Sequence, residues 1–294
     1  MPQKTKKKIS PLAWAVWIAA GVCLCLIITL AAMLLRGTAS PAAQETDPTD
    51  SPATEAPTEE PTDPVFVYPQ LNLPENPYTE TDFDYEDRFL TCTAGPCLLG
   101  VDVSYWQYDI AWPLVKASGI DFAMIRLAWR GSTEGGMEED SYARINYQGA
   151  KDAGLKVGGY FFSQAITPEE AVEEAEFVLK MAEEMEFDMP IVFDWEQTGG
   201  RTADMDPRTL TDCAKAFCQT IEEGGLEAMI YFNVYYACYG MYLEELTDYQ
   251  FWLAMYNSKM DFPYQIDMWQ HTDHGSVPGI EGPADLNIYF LPDE

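Results

Sequence analysis

Basic residues are scarce in this chain of 294 residues. Lysine and arginine together number 17 against 48 aspartates and glutamates, which gives a formal charge of −31. Binding to a nucleic acid depends on clustered cations that neutralise phosphates, and no basic face can be found in the folded part of the sequence. The composition therefore excludes a nucleic-acid-binding protein.

Histidine is also rare. The whole chain has two histidines, His271 and His274, which are too few for a dedicated zinc site. We therefore expect neither a metal ion nor another cofactor.

Cysteine is too sparse for disulfides to stabilise a fold of this size. Seven cysteines in a chain of this length do not make a disulfide scaffold. Cys92 and Cys97 bracket the turn-forming sequence Thr-Ala-Gly-Pro, and they are predicted to close a small ring by a disulfide in an oxidising exterior. The remaining cysteines of the exported part are expected to stay reduced, and these are Cys213, Cys218 and Cys238.

Residues 12–35 form an apolar run without a charged residue. As a helix, the run is long enough to cross a hydrocarbon core of about 30 Å. Lysines precede it and a lone Arg36 follows it, which predicts a cytoplasmic tail at residues 1–11, a single-pass transmembrane helix at 12–35 and a chain that continues outside the cell membrane. A cleaved signal peptide is the alternative, but its apolar region would be about 7 to 15 residues long.

The next segment has the composition of a tether. From residue 40 to residue 64 the chain contains Pro, Thr, Ala, Ser, Asp and Glu almost exclusively, with no aromatic residue, and we expect residues 36–64 to be a disordered linker. Residues 65–97 carry several tyrosines and phenylalanines, which predicts a strap that lies against the following domain.

From residue 98 onward, short apolar runs alternate with helical stretches, which is typical of a parallel sheet with crossover helices. The predicted strands are 98–104, 122–129, 156–163, 189–196, 227–233, 251–256, 266–272 and 284–290, and the predicted helices are 111–118, 142–153, 168–187 and 207–224. Eight strands predict an α/β domain over 98–294, a small (β/α) barrel of TIM type with outer helices missing from its second half. A doubly wound open sheet is the alternative.

Carboxylates stand at the strand ends, where a β/α barrel places its reacting groups. Asp102 lies near the end of the first predicted strand, Asp194 and Glu196 end the fourth, and Asp285 lies in the last. Asp194 and Glu196 are two residues apart, so they share one face of a strand, and closure makes the first and last strands neighbours. Four carboxylates should therefore converge on one opening and raise one another's pKa values, as general acid catalysis of glycoside hydrolysis requires.

Each acid taken alone has an ordinary structural interpretation. A single Asp at a strand end is commonly a helix cap or a loop ligand, and it is the coincidence of four that favours a site. The acidic run on the predicted helix 168–187 is different, since it is expected to be a solvated face. Its members are Glu169, Glu170, Glu173, Glu174 and Glu176.

A series of short motifs recurs in order from residue 98 to residue 290. They are Gly100-Val-Asp-Val-Ser104, Trp106-Gln107, Asp109-Ile-Ala-Trp112, Phe122-Ala-Met-Ile-Arg126, Ala153-Gly-Leu-Lys-Val-Gly158 with Tyr160, Asp194-Trp-Glu196, Trp252-Leu-Ala-Met-Tyr256, Trp269-Gln270 and Gly279-Ile-Glu-Gly282 with Asp285-Leu-Asn287. Together they resemble glycoside hydrolase family 25. The resemblance implies a lysozyme-type barrel that hydrolyses the β-1,4 bond between N-acetylmuramic acid and N-acetylglucosamine in peptidoglycan. It also implies that Glu196 is the general acid and that Asp102, Asp194 and Asp285 complete the acidic site.

Sugar rings pack their apolar faces against aromatic side chains. Among the aromatics at predicted strand ends, Tyr160, Tyr231, Trp269 and Tyr256 are the expected substrate-binding residues. Arg201, in the loop after the fourth strand, is a further candidate that would pair with a lactyl or peptide carboxylate.

Two questions stay open at this stage. A retaining path would use a carboxylate or, as we favour, the substrate's own N-acetyl group as nucleophile, while an inverting path would activate water. A non-catalytic wall-binding module and a barrel hydrolase for another polysaccharide are the competing functions. We expect a monomer that binds peptidoglycan glycan strands and remodels its owner's wall, since a tether confines it to that envelope.

Overall fold

The computed structural model describes residues 67–257 and 259–292. The predicted transmembrane helix at 12–35, the linker at 36–64 and the first two residues of the strap lie outside this range. Within it, no helix is both long enough and apolar enough to cross a membrane.

Eleven strands and four α-helices make up the described domain. The strands are β1 (Phe83–Glu86), β2 (Phe89–Cys92), β3 (Cys97–Val103), β4 (Phe122–Arg130), β5 (Met137–Glu139), β6 (Lys156–Ser163), β7 (Ile191–Trp195), β8 (Ala228–Asn233), β9 (Gln250–Ala254), β10 (Met268–Gly275) and β11 (Ala284–Phe290). The helices are α1 (Trp112–Ala117), α2 (Ala143–Asp152), α3 (Pro168–Ala182) and α4 (Pro207–Glu223). All eight predicted barrel strands and all four predicted helices form, with ends shifted by a few residues.

The barrel closes through eight of these strands. Their order is β3-β11-β10-β9-β8-β7-β6-β4, and a pairing between β3 and β4 completes the circle, while β5 adds to the outer end of β4. The predicted closed barrel is therefore confirmed, and the open sheet is excluded for this domain.

The expectation of an all-parallel sheet is wrong at one strand. Strand β11 runs antiparallel to both of its neighbours, β10 and β3. Parallel strands need a crossover of about a dozen residues or more, usually a helix, and residues 276–283 between β10 and β11 are too few for one. The chain therefore turns back directly, and the start of β11 arrives at the same barrel edge as the ends of the other strands.

The interior of the barrel changes from apolar to polar along its axis. Its lower part is filled by side chains that alternate along the strands, including Phe122, Met124, Val192 and Met229. Phe122 fits only because its neighbour is Gly100, where a Cβ atom would lie 2.2 Å from the phenyl ring. Every second side chain of a strand faces the barrel interior. The inward positions that follow these apolar residues toward the ends of the strands therefore line the mouth of the barrel.

Helices α1 to α4 cover the first half of the barrel. Helix α4 shows why they form: Asp206 caps its N-terminus by accepting hydrogen bonds from the N–H groups of Arg208 and Thr209, and Pro207 occupies the first turn. Its apolar stripe packs inward, with Phe217 5.2 Å from Phe193 of β7 between ring centroids.

The segment from residue 67 to Cys92 lies along the side of the barrel that has no α-helix. Glu75 forms a β-bridge with Tyr264, Tyr78 stacks on Phe290 at 4.4 Å between ring centroids, and the Tyr68 hydroxyl donates a hydrogen bond to Asp261. The β1–β2 hairpin forms the end of this segment and adds further apolar contacts. This segment thus covers the second half of the barrel, in the place that helices take in the first half.

The predicted ring-closing disulfide is absent. Cys92 and Cys97 are both free cysteines, as are the three expected to stay reduced. The Cys92 side chain is buried in the core beside its cross-strand partner Phe83, whereas the Cys97 thiol contacts the Thr91 hydroxyl at 3.5 Å. The two side chains thus lie in different environments, Cys92 at the end of β2 and Cys97 at the start of β3.

Candidate active site

The four carboxylates predicted from the strand ends line one cavity of about 640 Å³ at the mouth of the barrel, and Glu138 and Glu139 of β5 also border it. Asp102 lies near the end of β3, Asp194 and Glu196 lie at the end of β7, and Asp285 lies at the start of β11. The reversed direction of β11 makes Asp285 the direct cross-strand partner of Asp102. The structure therefore brings together all four carboxylates that the sequence placed at one opening.

Asp102 and Asp285 form a carboxyl pair that shares a hydrogen bond. Burial raises the pKa of Asp102, while hydrogen bonds donated to its Oδ2 by Asn287 Nδ2 at 2.8 Å and Gln270 Nε2 at 2.7 Å oppose that rise. Burial, then the charge of Asp102 and the bond to it, raise the pKa of Asp285 to about 8. At neutral pH Asp285 thus holds a proton and donates it toward Asp102.

Asp194 is a buried acid with spare hydrogen-bonding capacity. Burial is the largest cause that raises its pKa well above the ordinary value, followed by the negative charges of Glu196 and Asp102, while Arg126 lowers it. Within the described part of the chain, Asp194 Oδ1 is buried and accepts no hydrogen bond. A donor on a bound ligand would satisfy this oxygen.

Glu196 lies at the rim of the cavity, where its side chain reaches solvent. Surrounding protein atoms displace part of its hydration and raise its pKa, and the charge of Asp102 adds to that effect. A carboxyl group whose pKa is raised and which still contacts solvent is suited to donate a proton to a ligand.

The stability of the protein should depend on this cluster in an unusual direction. Between the ordinary pKa of 3.8 and its folded value of about 8, Asp285 holds a proton in the folded state that the unfolded chain has released. The free energy of unfolding should therefore fall as pH rises through that window and level off above it.

Thermal melting followed between about pH 5 and pH 8 tests this expectation. The wild-type Tm should decline with rising pH, and Asp285→Asn should decline less steeply because its side chain cannot ionise. A wild-type Tm that rises across the range, or an equal slope in both proteins, would contradict the assignment of the proton to Asp285.

Three of the aromatic residues chosen from the sequence line the cavity. Tyr160 and Tyr231 are buried in its wall, and Tyr256 is half exposed at the rim. The hydroxyl groups of Tyr231 and Tyr256 both donate to Gln270 Oε1, at 2.9 and 3.0 Å. These side chains are therefore placed to contact a ligand in the cavity.

Trp269 does not belong to this set, and its prediction as a groove residue is wrong. The side chain is fully buried on the outer face of β10, where its ring lies 5.0 Å from Phe83 of the β1–β2 hairpin. Its Nε1–H donates to the Met255 carbonyl. Odd and even residues of a strand face opposite sides, so it is Gln270 that points into the mouth.

Arg201 is likewise not in the cavity wall. Its guanidinium group pairs with Glu170 of α3, so it is already neutralised by an acid of the protein. The prediction that Arg201 binds a carboxylate of the ligand is therefore wrong.

The acidic face of α3 is only partly solvated. Glu169, Glu173 and Glu176 are exposed, whereas Glu174 has no exposed surface. Glu174 accepts hydrogen bonds from Arg130 Nε and Ser163 Oγ, both at 2.6 Å. The expectation of a uniformly solvated face is wrong at this position because Arg130, at the end of β4, supplies a buried countercharge.

The sequence prediction missed several polar residues of the cavity. Arg126 pairs with Asp140 at 2.8 Å, and its guanidinium carbon lies 4.8 Å from the centre of the Tyr105 ring. Gln270 connects Asp102 to both tyrosine hydroxyls, and the Nε1–H of Trp252 donates to Asn287. Position was the available signal for Arg126 and Gln270, since they follow the buried inward residues Met124 and Met268 by two.

Gln164 supports Glu196 from behind the cavity. It has no exposed surface, its Nε2 donates to the Glu196 carbonyl at 2.7 Å and to the Ser163 carbonyl at 2.8 Å, and its Oε1 accepts from the Thr198 hydroxyl. The buried amide of Gln164 thus connects the end of β6 to the backbone of Glu196.

Gln164→Met keeps the side-chain length but removes both donors. Each carbonyl left without its partner costs about 1–3 kcal/mol, and displacement of Glu196 should lower kcat by up to about 100-fold with little change in KM. Thr198→Val is the matched control, because it leaves the bond to Glu196 intact and should retain kcat. Steady-state kinetics with thermal melting provide both readouts, and an unchanged kcat in Gln164→Met would contradict the positioning role.

The residues of the described chain offer no group of three or more histidine, cysteine, aspartate or glutamate side chains arranged to hold a metal ion. The chemistry available in the cavity is that of carboxyl groups which exchange protons, bordered by tyrosines, tryptophans and amides.

A closed β/α barrel with an acidic cleft at its mouth and aromatic walls defines a glycoside hydrolase. The chain belongs to glycosyl hydrolases family 25, since the sequence model of that family matches residues 101–280. Asp285 lies beyond that span and reaches the site through the pairing of β11 with β3.

Relatives in sequence and in structure agree with this membership. An autolytic lysozyme of Clostridium acetobutylicum is 30% identical over 192 residues, which cover 65% of this chain and 55% of the relative. The uncharacterized protein YegX of Escherichia coli K12 is 30% identical over 200 residues, 65% of this chain and 68% of that one. The spore cortex lytic enzyme SleM of Clostridium perfringens shares the fold, with a TM-score of 0.58, 22% identity and coverage of 66% of this chain and 67% of that chain.

Proposed function

We propose that this protein is a muramidase, which hydrolyses the β-1,4 bond between N-acetylmuramic acid and N-acetylglucosamine in peptidoglycan glycan strands. The convergence of Asp102, Asp194, Glu196 and Asp285 in one cavity carries the proposal. Membership of the family and the similarity to an autolytic lysozyme support the choice of peptidoglycan over other polysaccharides.

In the proposed mechanism, Glu196 donates its proton to the glycosidic oxygen as the bond to the leaving sugar breaks. Asp194 supports the positive charge that develops at the anomeric centre. Asp102 and its protonated partner Asp285 keep the site acidic and hold the substrate, while Tyr160, Tyr231 and Tyr256 contact the sugar rings. The raised pKa of Glu196 favours activity at mildly acidic pH, because the acid must be protonated before each turnover.

The nucleophile in this proposal is the N-acetyl group of the substrate. Asp194 Oδ1, which is buried without a partner in the described chain, would accept the acetamido N–H and orient the acetamido oxygen toward the anomeric carbon. A hydrogen bond to its charged form lowers the pKa of Asp194, so substrate binding favours the charged carboxylate, and that negative charge helps Glu196 to keep its proton. Water then attacks the anomeric carbon and breaks its bond to the acetamido oxygen, while Glu196, which has lost its proton to the leaving sugar, takes a proton from that water. The two displacements retain the anomeric configuration, and NMR of the first product formed distinguishes this path from inversion.

Product analysis on purified peptidoglycan tests the function itself. Mass spectrometry should find new reducing ends that consist of N-acetylmuramic acid. Reducing N-acetylglucosamine ends, or cleavage of chitin in preference to peptidoglycan, would replace the muramidase with a hydrolase for another bond or polymer. Binding without any product on several peptidoglycans would instead indicate a wall-binding module.

We further propose that the enzyme acts as a monomer, attached to the cell membrane through residues 12–35 with its barrel outside the cell. The apolar run and the flanking lysines support this topology. A tether at 36–64 would limit the enzyme to its owner's envelope, which favours wall remodelling over attack on competitors.

Protease added to intact cells tests the topology. It should release the barrel by cutting within residues 36–64, whereas a barrel protected from protease, or a mature N-terminus near Ala42 found in the medium, would overturn it. The same treatment of lysed cells is the control for cleavage at sites that the membrane hides.

A further inference from the structure

A pocket of about 380 Å³ lies where the β1–β2 hairpin meets the mouth of the barrel. Tyr85 and Arg88 of the hairpin line it, together with Tyr256, which also lines the acidic cavity, and both histidines of the chain, His271 and His274. We call it the histidine pocket. It combines residues of the barrel with a segment that precedes the family match at residues 101–280.

Two local features form this pocket. The pairing of β10 with β11 shifts register twice between Gln270 and Gly275, and such irregularities re-aim the side chains of a strand. The hairpin packs over the same strand through Phe83, whose ring lies 5.0 Å from that of Trp269. Its two-residue turn then presents Arg88 to the side chains that the irregular part of β10 turns outward.

The histidine pocket differs from the acidic cavity in charge. Arg88 carries a permanent positive charge, and none of the described residues that line the pocket is an aspartate or a glutamate. Arg88 is exposed and forms no ion pair with another described residue. Each other arginine in this part of the chain pairs with a carboxylate, and these are Arg126, Arg130, Arg144, Arg201 and Arg208. The guanidinium group of Arg88 is therefore available to an anionic group of a ligand.

His271 is a buried polar side chain that lacks a hydrogen-bond partner among the described residues. It is 6% exposed, and its ring lies 5.6 Å from that of Trp269. Burial lowers the pKa of His271 to about 4, so the ring is neutral and keeps one N–H donor. A buried donor without an acceptor costs free energy, which an acceptor group of a ligand in the pocket would recover.

Tyr256 is the wall between the histidine pocket and the acidic cavity. Its hydroxyl donates to Gln270 Oε1 at 3.0 Å, and Gln270 Nε2 donates to Asp102 at 2.7 Å. One half-exposed side chain therefore separates the cavity from the cationic pocket. A flexible branch on a sugar bound in the cavity would pass over Tyr256 to meet Arg88.

We propose that the histidine pocket binds a carboxylate of the stem peptide that N-acetylmuramic acid carries, and that the enzyme thereby prefers peptide-bearing glycan to bare strands. The inference rests on the proposed muramidase function, which places N-acetylmuramic acid in the acidic cavity. An amide bond joins the lactyl group of this sugar to a short peptide that bears carboxylates. Arg88 pairs with one of them, the N–H of His271 donates to it, and Tyr85 packs along the peptide.

Three substrates separate this role from a structural one. They are glycan strands with their stem peptides, the same strands after an amidase has removed the peptides, and peptide-bearing strands whose carboxyl groups have been converted to amides. The strands freed of peptides still carry the lactyl carboxylate, so they distinguish the two sources of a carboxylate on this sugar.

Arg88→Gln should lower kcat/KM on the peptide-bearing strands by about fivefold and leave it unchanged on the other two substrates. His271→Phe keeps an aromatic ring beside Trp269 but has no N–H, and it should show the same selectivity with a smaller loss. The wild type should cut the peptide-bearing strands faster than either of the others. Equal losses on all three substrates in Arg88→Gln, a loss on the strands that keep only the lactyl carboxylate, or no loss on any would overturn the proposed pocket.

Lys180→Gln is the matched control for the loss of one positive charge. Lys180 is exposed on α3, forms no ion pair with another described residue and lines neither the acidic cavity nor the histidine pocket. It should match the wild type on all three substrates, and a selectivity like that of Arg88→Gln would reduce the effect to overall charge and overturn the pocket. Wild-type protein that cuts none of the three substrates would instead overturn the proposed function, so the two failures are distinguishable.

Discussion

Replacement of Glu196 by glutamine is expected to lower kcat on peptidoglycan by about 10²–10⁴-fold while the barrel stays folded. The amide keeps the size of the side chain but has no acidic proton to give to the leaving oxygen. Glu196 lies at the rim and donates no hydrogen bond to the core, so the thermal melting of the variant should stay close to that of the wild type.

Glu138→Gln is the matched control for this variant. Glu138 is an exposed acid that lines the same cavity from β5, away from the strand ends where the other carboxylates meet. Its replacement should leave kcat within a few fold of the wild type. Release of reducing ends, measured for all three proteins at one mildly acidic pH, decides the matter. A folded Glu196→Gln protein with most of its activity would move the general acid to another residue.

Asp194→Asn is expected to show the second largest loss, about 10²–10³-fold in kcat. The substitution removes the negative charge beside the anomeric centre. It can also turn an N–H donor toward the place where Asp194 Oδ1 would accept the acetamido N–H of the substrate. Because the interaction strengthens as charge develops, kcat should fall more than KM rises.

The pH profile adds a readout that damage to the fold would not produce. The charge of Glu196 raises the pKa of Asp194 in the protein without substrate. In the proposed substrate complex Asp194 is charged and opposes the ionisation of Glu196 in the same way, so neutralisation of Asp194 should move the alkaline limb of the kcat profile toward lower pH. Asp194→Asn that retains most of the wild-type kcat, or an unshifted profile at a reduced rate, would rule out the proposed partnership with Glu196.

Local patterns were sufficient to predict the barrel. Short apolar runs marked all eight strands, and helical segments that begin with proline marked α3 and α4. Convergence of the carboxylates followed from the rule that strand ends meet at one edge. These features depend on residues close together in sequence, which is why they could be read without the structure.

Features set by distant partners could not be predicted in the same way. Trp269 is covered by Phe83, and Glu174 is neutralised by Arg130, so each environment is decided by a residue far away in the sequence. Arg201 is matched by Glu170 across the loop after β7. The direction of β11 depends on the absence of a helix before it, a local feature whose consequence for topology was missed.

The pairing of β11 with β3 also has a kinetic consequence. Asp102 and Asp285 become cross-strand partners only after the two ends of a long loop meet, and closing such a loop carries an entropic cost that slows folding. We therefore expect barrel closure and assembly of the acidic site to occur together and late in folding. A chain that stops before Ala284, or that has not yet docked its last strand, lacks both Asp285 and Asn287 and is expected to be unable to cut glycan. We therefore expect activity only after the last strand has docked.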